Sequence, residues 1–309
     1  MAEKSTIHIL GAGALGSLWA TKLSSHNNVI LLVKRGINHN QAINYHAFQF
    51  IEQNQTTFVS LPCEHSSPRP HDNAPIDTLL VFTKSYDTLQ AVKQLKSRIT
   101  PLSRIVLFQN GMGSQQEITH LLPHNTVYAA STTEGANRPD QQTIVYAGKG
   151  ETWVGSISKQ QNKHDSDKIS NLLSSSGLDV SYNANIWEKL WLKLAINCAI
   201  NPFTALLNCK NGELIGKPLF DNSIAQLCSE LAQAMKLNQF EISADELHAI
   251  VKDVIKKTAS NVSSMLQDVR AGKKTEIEYI NGYIEMVAQT SGLTLPTNLK
   301  LLEEVRERF

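Results

Sequence analysis

Hydrophobic residues in the first half of the chain fall into short runs separated by stretches of helical spacing. Runs at residues 7–10, 29–33 and 105–108 have the length and β-branched content of buried strands. Between such runs, residues 87–96 have the apolar spacing of a helix. Strands alternating with helices are typical of a doubly wound α/β sheet. We therefore predict such a sheet from the start of the chain to about residue 183.

The second half of the chain changes to helical periodicity, without a convincing strand pattern. The predicted helices span residues 220–235, 252–270 and 275–289, with further starts at Ser243 and Pro296. Ser243 is followed three residues later by Glu246, which is the pattern of a capping box. We therefore predict an all-helical C-terminal domain over residues 184–309, after an N-terminal domain over residues 1–183.

Residues 186–207 join these domains and are mostly apolar, yet polar side chains recur at every fourth position. Lys189, Lys193, Asn197 and Asn201 therefore share one face of the predicted helix. Pro202 is expected to end or kink it. The face either meets solvent, or lines a cleft between the domains in which Lys193 donates a proton or charge to a ligand.

A glycine pattern follows the first predicted strand directly and precedes a helix. It consists of Gly11, Ala12, Gly13, Ala14, Leu15 and Gly16. Gly11 permits a tight turn, Gly13 lets the backbone approach a pyrophosphate at the helix N-terminus, and Gly16 permits close packing of helix on strand. In this strand–turn–helix context, the pattern predicts a Rossmann-type dinucleotide-binding domain.

The end of the second strand indicates which dinucleotide is bound. NAD-binding domains commonly have a carboxylate there that holds the ribose 2′-hydroxyl. This chain has Lys34 and Arg35 instead. A guanidinium can pair with a 2′-phosphate that a carboxylate would repel, so NADPH is favoured over NADH. Lys84 follows another strand, at the sheet edge where ligands bind.

Composition narrows the possible classes of protein. Apolar residues make up 41% and charged residues 18%, with a formal net charge of +1. This balance favours neither nucleic acid nor an anionic membrane as a partner. No apolar run approaches the ~20 residues of a membrane span. The four cysteines form no CxxC pair, so we expect free thiols, no metal site and a cytoplasmic location.

Seven separated motifs cover nearly the whole chain. They are GAGALG at 11–16, TK at 83–84, QNGMG at 109–113, KLAINCAINPFTAL at 193–206, NG at 211–212, SNVSSMLQD at 260–268 and TEIEYINGY at 275–283. In type and order they resemble the ketopantoate reductase (2-dehydropantoate 2-reductase) family. The resemblance implies NADPH-dependent reduction of 2-dehydropantoate to (R)-pantoate, on the way to pantothenate and coenzyme A.

The resemblance also implies residue roles. Lys193 corresponds to the general acid and Glu276 to its acidic partner at the substrate. The implied cofactor contacts are Gly11, Ala12, Gly13, Ala14, Leu15, Gly16, Arg35, Lys84, Asn110 and Ala136. The implied substrate contacts are Asn110, Lys193, Asn197, Asn201, Asn211, Asn261, Ser264 and Glu276. One departure is Asp87, where the family pattern has glutamine on the nicotinamide side.

Some questions stay open in the sequence. Burial would lower the pKa of Lys193 and Glu276 would raise it. Asn261 and Ser264 are expected to lie three apart on one helix and face one ligand. We expect the binding partner to be a small-molecule substrate. The protein is expected to be a monomer or a homodimer. Alternative functions are a related NADP-dependent dehydrogenase of another 2-oxo or 3-hydroxy acid, and a non-catalytic NADP(H) sensor.

Overall fold

The computed structural model describes residues 5–34, 44–66, 74–158 and 163–309, without the side chains of 163–165. The chain forms two compact units. The first contains Met1–Gln109 and Ser114–Trp187, and the second contains Asn110–Gly113 and Glu188–Phe309. A turn that follows a strand of the first unit, Asn110–Gly113, therefore packs as part of the second.

The described part of the first unit contains one sheet of eleven strands. They are β1 Thr6–Leu10, β2 Asn28–Val33, β3 Asn44–Glu52, β4 Gln55–His65, β5 Ile76–Val81, β6 Ile99–Leu107, β7 Thr126–Thr132, β8 Gly135–Asn137, β9 Thr143–Gly148, β10 Glu151–Ser156 and β11 Asp179–Tyr182. The strand order is β11-β10-β7-β6-β5-β1-β2-β4-β3-β9-β8. Its stretch β4-β2-β1-β5-β6-β7 is parallel throughout. That is the 3-2-1-4-5-6 order of dinucleotide-binding folds, with its switch point between β1 and β5.

Helices cover both faces of this sheet. They are α1 Ala14–Leu23, α2 Ser85–Gln94, α3 Ser114–Leu121 and α4 Lys163–Ser174. Trp19 of α1 and Leu173 of α4 join the apolar core on one face. Val92 of α2 and Ile118 of α3 join the core on the other. The predicted doubly wound α/β sheet is confirmed, because both faces carry helices and both are buried.

The hairpin of β3 and β4 is longer than the sequence pattern suggested. Only residues 48–50 and 56–61 have a clear strand pattern, whereas the strands have nine and eleven residues. Phe48, Phe50, Val59, Leu61 and Cys63 face inward and are buried, whereas the alternate side chains, including Tyr45 and Phe58, are exposed or half-buried. A strand with one face in solvent has a weaker apolar pattern in the sequence than a strand that is buried on both faces. Residues 66–75, whose prolines predict a surface loop, lie mostly outside the described residues.

The rest of the chain is helical, and its described residues contain no strand. The helices are α5 Ile186–Leu207, α6 Pro218–Asp221, α7 Ile224–Leu237, α8 Ala244–Lys257, α9 Ser264–Arg270, α10 Asn281–Thr290 and α11 Pro296–Arg308. Two 3₁₀ turns, Asn211–Leu214 and Ile277–Tyr279, lie between them. The predicted all-helical C-terminal region is confirmed. Ser243 caps α8 as predicted, because its hydroxyl accepts the Glu246 N–H at 3.1 Å.

Three predicted helices are interrupted or shortened in the structure. Residues 220–235 contain α6 and α7 with a break between them, and residues 252–270 contain α8 and α9. Ser263 starts α9 by accepting the Leu266 N–H at 3.1 Å, so a new N-cap divides the two helices although the apolar spacing continues across the break. The predicted helix at 275–289 begins only at Asn281, after a 3₁₀ turn.

Helix α5 has the bounds predicted for it, but Pro202 lies inside it and does not end it. A proline N cannot donate to the carbonyl four residues earlier, which is that of Cys198. The side-chain amide of Asn281 approaches that carbonyl at 3.5 Å. A donor from another segment thus compensates partly for the missing backbone hydrogen bond, which lets the helix continue to Leu207.

By length and composition α5 could cross a membrane, which corrects the expectation that no segment approaches a span. Its mean hydropathy is 1.4, but 67% of that window is buried inside the protein. Core helices of globular proteins have the same properties, so this is weak evidence for a membrane segment. All four cysteines are buried and unpaired.

Candidate active site

The glycine turn packs tightly against the switch point of the sheet. Gly11 has φ +101°, and a Cβ there would lie 2.7 Å from the Phe82 carbonyl carbon and the Thr83 nitrogen. A Cβ on Gly16 would overlap the carbonyl oxygen of Gly11. Both positions therefore require glycine for conformational and steric reasons. These contacts bring the turn after β1 against the chain that follows β5.

Gly13 differs, because among the described residues no atom beyond its own chain neighbours and helix backbone lies within 4 Å of where its Cβ would be. It is the N-cap of α1, and Ala14 and Leu15 are the first helical residues. The N-terminus of a ten-residue helix presents backbone N–H groups and a partial positive charge. Open space at this helix end is suited to a phosphate group.

A recess of about 370 Å³ lies beside this turn in the first unit. It is lined by Leu10, Gly11, Ala12, Leu32, Val33, Lys34, His46, Ser66, Thr83, Asp87, Ala91 and Arg138. The recess lies at the first βαβ unit, where the adenosine half of a dinucleotide binds in folds of this type. Asp87 is among its lining residues.

Other predicted cofactor contacts lie around the same edge. Lys84 is the N-cap residue of α2, and Ala136 lies in β8, where it packs against the core beside Ala12. Arg35 lies outside the described residues. A larger recess of about 560 Å³ in this unit is lined by Lys22, Tyr146 and neighbours, and contains none of the predicted site residues.

Sequence reasoning missed Arg138, which follows β8. Its Nη1 donates to the Ala12 carbonyl oxygen and its Nη2 to the Gln141 carbonyl oxygen, both at 2.6 Å. Arg138 also contributes, after desolvation by burial, to a lowered pKa of His46. A lone arginine in a loop carries no pattern, and only the fold brings it to the glycine turn.

In the second unit, Lys193 of α5 interacts electrostatically with Glu276. Burial lowers the pKa of Lys193 from 10.5 to about 8, although the Glu276 carboxylate acts in the opposite direction. Glu276 is only 4% exposed and is the N-cap of the 3₁₀ turn. Desolvation therefore outweighs the ion pair, and the lysine is a stronger acid than a free one.

The polar face of α5 becomes more buried towards its C-terminal end. Lys189, Lys193 and Asn197 are half-buried, and Asn201 is buried. One turn beyond, the Thr204 hydroxyl donates to the Asn201 carbonyl at 2.8 Å and meets the Ser263 hydroxyl at 2.6 Å. This contact connects α5 to the start of α9, where Ser264 follows.

The turn Asn110–Gly113 is held by Tyr279. The Met112 N–H donates to the Tyr279 carbonyl at 2.8 Å. A Cβ on Gly111 would lie 2.5 Å from the Cβ and the carbonyl oxygen of Tyr279. This fit brings Asn110 to the segment that carries Glu276, three residues before Tyr279. No sequence signal pairs these distant motifs, since the match is between two backbones.

Asn211 and Asn261 are connected through their backbones. The Asn211 N–H donates to the Asn261 carbonyl at 3.0 Å, and the Asn211 amide donates to the Thr258 hydroxyl at 2.9 Å. Asn261 is exposed and lies in the break before α9, so it does not share a helix with Ser264 as expected. The helical i, i+3 argument for that pair is therefore wrong.

Fold and site together define a dinucleotide-binding unit followed by a helical unit with a half-buried lysine. The sequence model of the family described as ketopantoate reductase PanE/ApbA matches residues 7–159, and that of its C-terminal domain matches residues 185–308. This chain belongs to the ketopantoate reductase family, which confirms the resemblance.

Individual relatives agree with this assignment. The chain is 35% identical over 305 residues to 2-dehydropantoate 2-reductase of Shigella flexneri, covering 98% of this chain and 94% of that one. The structure of a probable 2-dehydropantoate 2-reductase from Bacillus subtilis superposes with a TM-score of 0.78 at 26% identity, covering 98% of this chain and 99% of that one. The structure of a D-mandelate dehydrogenase with NADH shares the fold, with a TM-score of 0.88 at 24% identity, covering 98% of this chain and 97% of that one.

Proposed function

We propose that this chain catalyses the NADPH-dependent reduction of 2-dehydropantoate to (R)-pantoate. The observation that carries the proposal is the half-buried Lys193, whose pKa is lowered to about 8 beside buried Glu276. Relatives 35% identical over nearly the whole length are named for this reaction. A sensor that only binds NADP(H) needs no tuned acid, so we prefer the enzymatic reading.

Reduction of a 2-oxo acid needs a hydride, a proton for the developing alkoxide and a clamp for the carboxylate. NADPH supplies the hydride when bound. We assign proton donation to the Lys193 ammonium, which also stabilises negative charge on the carbonyl oxygen. Glu276 orients that ammonium and holds the substrate. The amides of Asn110, Asn197 and Asn201, with Asn211, Asn261 and Ser264, would bind the polar groups of the substrate.

The first unit fits the pyrophosphate and adenosine parts of NADPH. Open space at Gly13 faces the N-terminus of α1, and Lys34 and Arg138 add positive charge to the adjoining recess. Backbone atoms of the glycine turn, with Lys84, Asn110 and Ala136, complete the proposed contacts. Asp87 would lie near the adenosine and not near the reacting carbon, so the departure at this position leaves the reaction itself intact.

We place this activity in the cytoplasm, in pantothenate and coenzyme A biosynthesis. A relative from Staphylococcus aureus is described as a dimeric ketopantoate reductase. A monomer and a homodimer are both compatible with the proposed chemistry, and light scattering of the purified chain distinguishes them.

The direct test is NADPH oxidation with 2-dehydropantoate, compared with NADH and with a panel of other 2-oxo acids. We expect 2-dehydropantoate to have the highest kcat/KM. A better substrate in the panel would assign the chain to a related dehydrogenase. NADPH binding without turnover of any substrate would leave the sensor as the function.

The pH dependence of turnover should report the Lys193 pKa. Proton donation needs the ammonium form, so the reductive kcat/KM should be constant below pH 8 and fall tenfold per unit above it, if proton transfer limits the rate. The reverse oxidation needs the neutral amine, so its kcat/KM should rise tenfold per unit below pH 8 and become constant above it. Stopped-flow NADPH absorbance in both directions measures the two profiles. A reductive rate that rises above pH 8 would contradict the assignment.

Arg35→Ala should weaken NADPH binding far more than NADH binding. The guanidinium is proposed to pair with the 2′-phosphate, which NADH lacks, and such charge-assisted pairs contribute about 1.5–3 kcal/mol, or roughly 10- to 100-fold. Fluorescence titration with both cofactors measures the difference. Equal losses for NADPH and NADH would exclude a 2′-phosphate contact.

A further inference from the structure

Arg138 joins two carbonyl groups that belong to different parts of the first unit. Through Nη2 it bonds the Gln141 carbonyl, three residues along its own loop. Through Nη1 it reaches the Ala12 carbonyl, 126 residues away in the glycine turn. A planar guanidinium can satisfy both at once because its N–H groups are arranged as a rigid fork. The loop after β8 is thereby attached to the turn.

The contact at Ala12 has a consequence for the next amide. The peptide group is planar and trans, so the Ala12 carbonyl and the Gly13 N–H point in opposite directions. A guanidinium that holds the carbonyl on one side therefore directs the Gly13 N–H to the other. Gly13 is the N-cap of α1, where backbone N–H groups bind anions.

The turn needs such a constraint. Gly11 and Gly13 flank Ala12, and glycine gives the backbone unusual freedom. In the part of the chain that the structure describes, no other segment comes within 4 Å of the Cβ position of Gly13, so packing at that position does not limit the rotation of this peptide. If the peptide rotated, a carbonyl oxygen would face the phosphate in place of an N–H. A long-range side-chain bond to the Ala12 carbonyl opposes this rotation.

We propose that Arg138 is a positioning residue for the cofactor, which holds the Ala12–Gly13 peptide so that Gly13 donates to the pyrophosphate of NADPH. This inference rests on the proposed function, in which NADPH is the cofactor. The two terminal nitrogens each donate one hydrogen bond to a carbonyl group, so the side chain is held by the turn and by its own loop. We therefore assign Arg138 to the turn, and the 2′-phosphate to Arg35.

The expected signature separates Arg138 from Arg35. The pyrophosphate is common to both cofactors, so Arg138→Ala should raise the Kd and KM for NADPH and NADH by the same factor, about tenfold from loss of one charge-assisted bond. The kcat at saturating cofactor should stay within about twofold, because Arg138 touches no reacting atom. Arg138→Lys, with one ammonium in place of the fork, should give a smaller increase.

Arg104→Ala is the matched control. Arg104 lies in the same unit and donates to Asp77 at 3.3 Å, at the start of β5 and away from the glycine turn. It should leave both KM values unchanged, and thermal melts should show all three variants folded. Unchanged cofactor affinity in Arg138→Ala, or a loss confined to NADPH, would overturn the inference. A wild-type protein without NADPH turnover would instead remove the proposed function.

Discussion

Lys193→Ala should bind NADPH nearly as the wild type does and lose turnover by about 10²- to 10⁴-fold, the usual contribution of general acid catalysis. The pKa of Lys193 is lowered to about 8 by burial, so its ammonium is well matched to proton transfer near neutral pH. Alanine removes both the proton and the positive charge that stabilises the alkoxide. Steady-state kinetics with 2-dehydropantoate and a fluorescence titration with NADPH measure the two effects separately.

Lys189→Ala provides the control on the same helix. Lys189 is half-buried one turn earlier on the same polar face. Its loss should change kcat by less than about threefold, because the proposed proton donor is Lys193 and Lys189 has no assigned contact with the substrate. A wild-type kcat in Lys193→Ala would show that this lysine is not the general acid. If Lys189→Ala lost as much turnover as Lys193→Ala, catalysis would depend on the positive charge of the whole helix face and not on Lys193 alone.

Gly111→Ala should impair both stability and turnover. The added Cβ would lie 2.5 Å from the backbone oxygen of Tyr279, and backbone cannot move aside as a flexible side chain can. Overpacking of this kind costs about 1–3 kcal/mol in the free energy of unfolding. The turn must shift away from Tyr279, and a displacement of about 1 Å at Asn110 can reduce kcat/KM roughly a hundredfold.

Gly148→Ala is the matched control for this substitution. Gly148 in β9 has no atom within 4 Å of its Cβ position, so a methyl group should change stability by less than about 0.5 kcal/mol. Urea unfolding and kcat/KM should be measured for both variants. Wild-type kcat/KM in Gly111→Ala would mean that the Met112–Tyr279 contact does not position Asn110.

The accuracy of the sequence predictions followed the strength of each apolar signal. Buried parallel strands are continuous apolar runs, so β1 and β2 were found within one residue at each end, whereas β6 begins six residues before the predicted run at 105–108. The β3–β4 hairpin was underestimated because half of its side chains face solvent. Helices α8 and α9 were merged because apolar spacing continues across the break, whereas the cap at Ser263 depends on one hydroxyl.

The chain by itself determined the order of the two folds, the glycine turn with its strand and helix, and the helix that presents Lys193. These properties are local, because strand runs, glycine positions and four-residue spacing act within a few turns of backbone. Membership of the ketopantoate reductase family also followed from motif order.

Only the tertiary structure decided how distant segments act on these local features. The pKa of Lys193 depends on the burial that packing produces against the opposing charge of Glu276, and burial has the larger effect. Gly111 packs against the Cβ and carbonyl oxygen of Tyr279, and the Arg138 guanidinium donates to the Ala12 carbonyl, each across more than 120 residues. Such contacts leave no local pattern in the sequence, because the chain path brings together residues that are far apart along it.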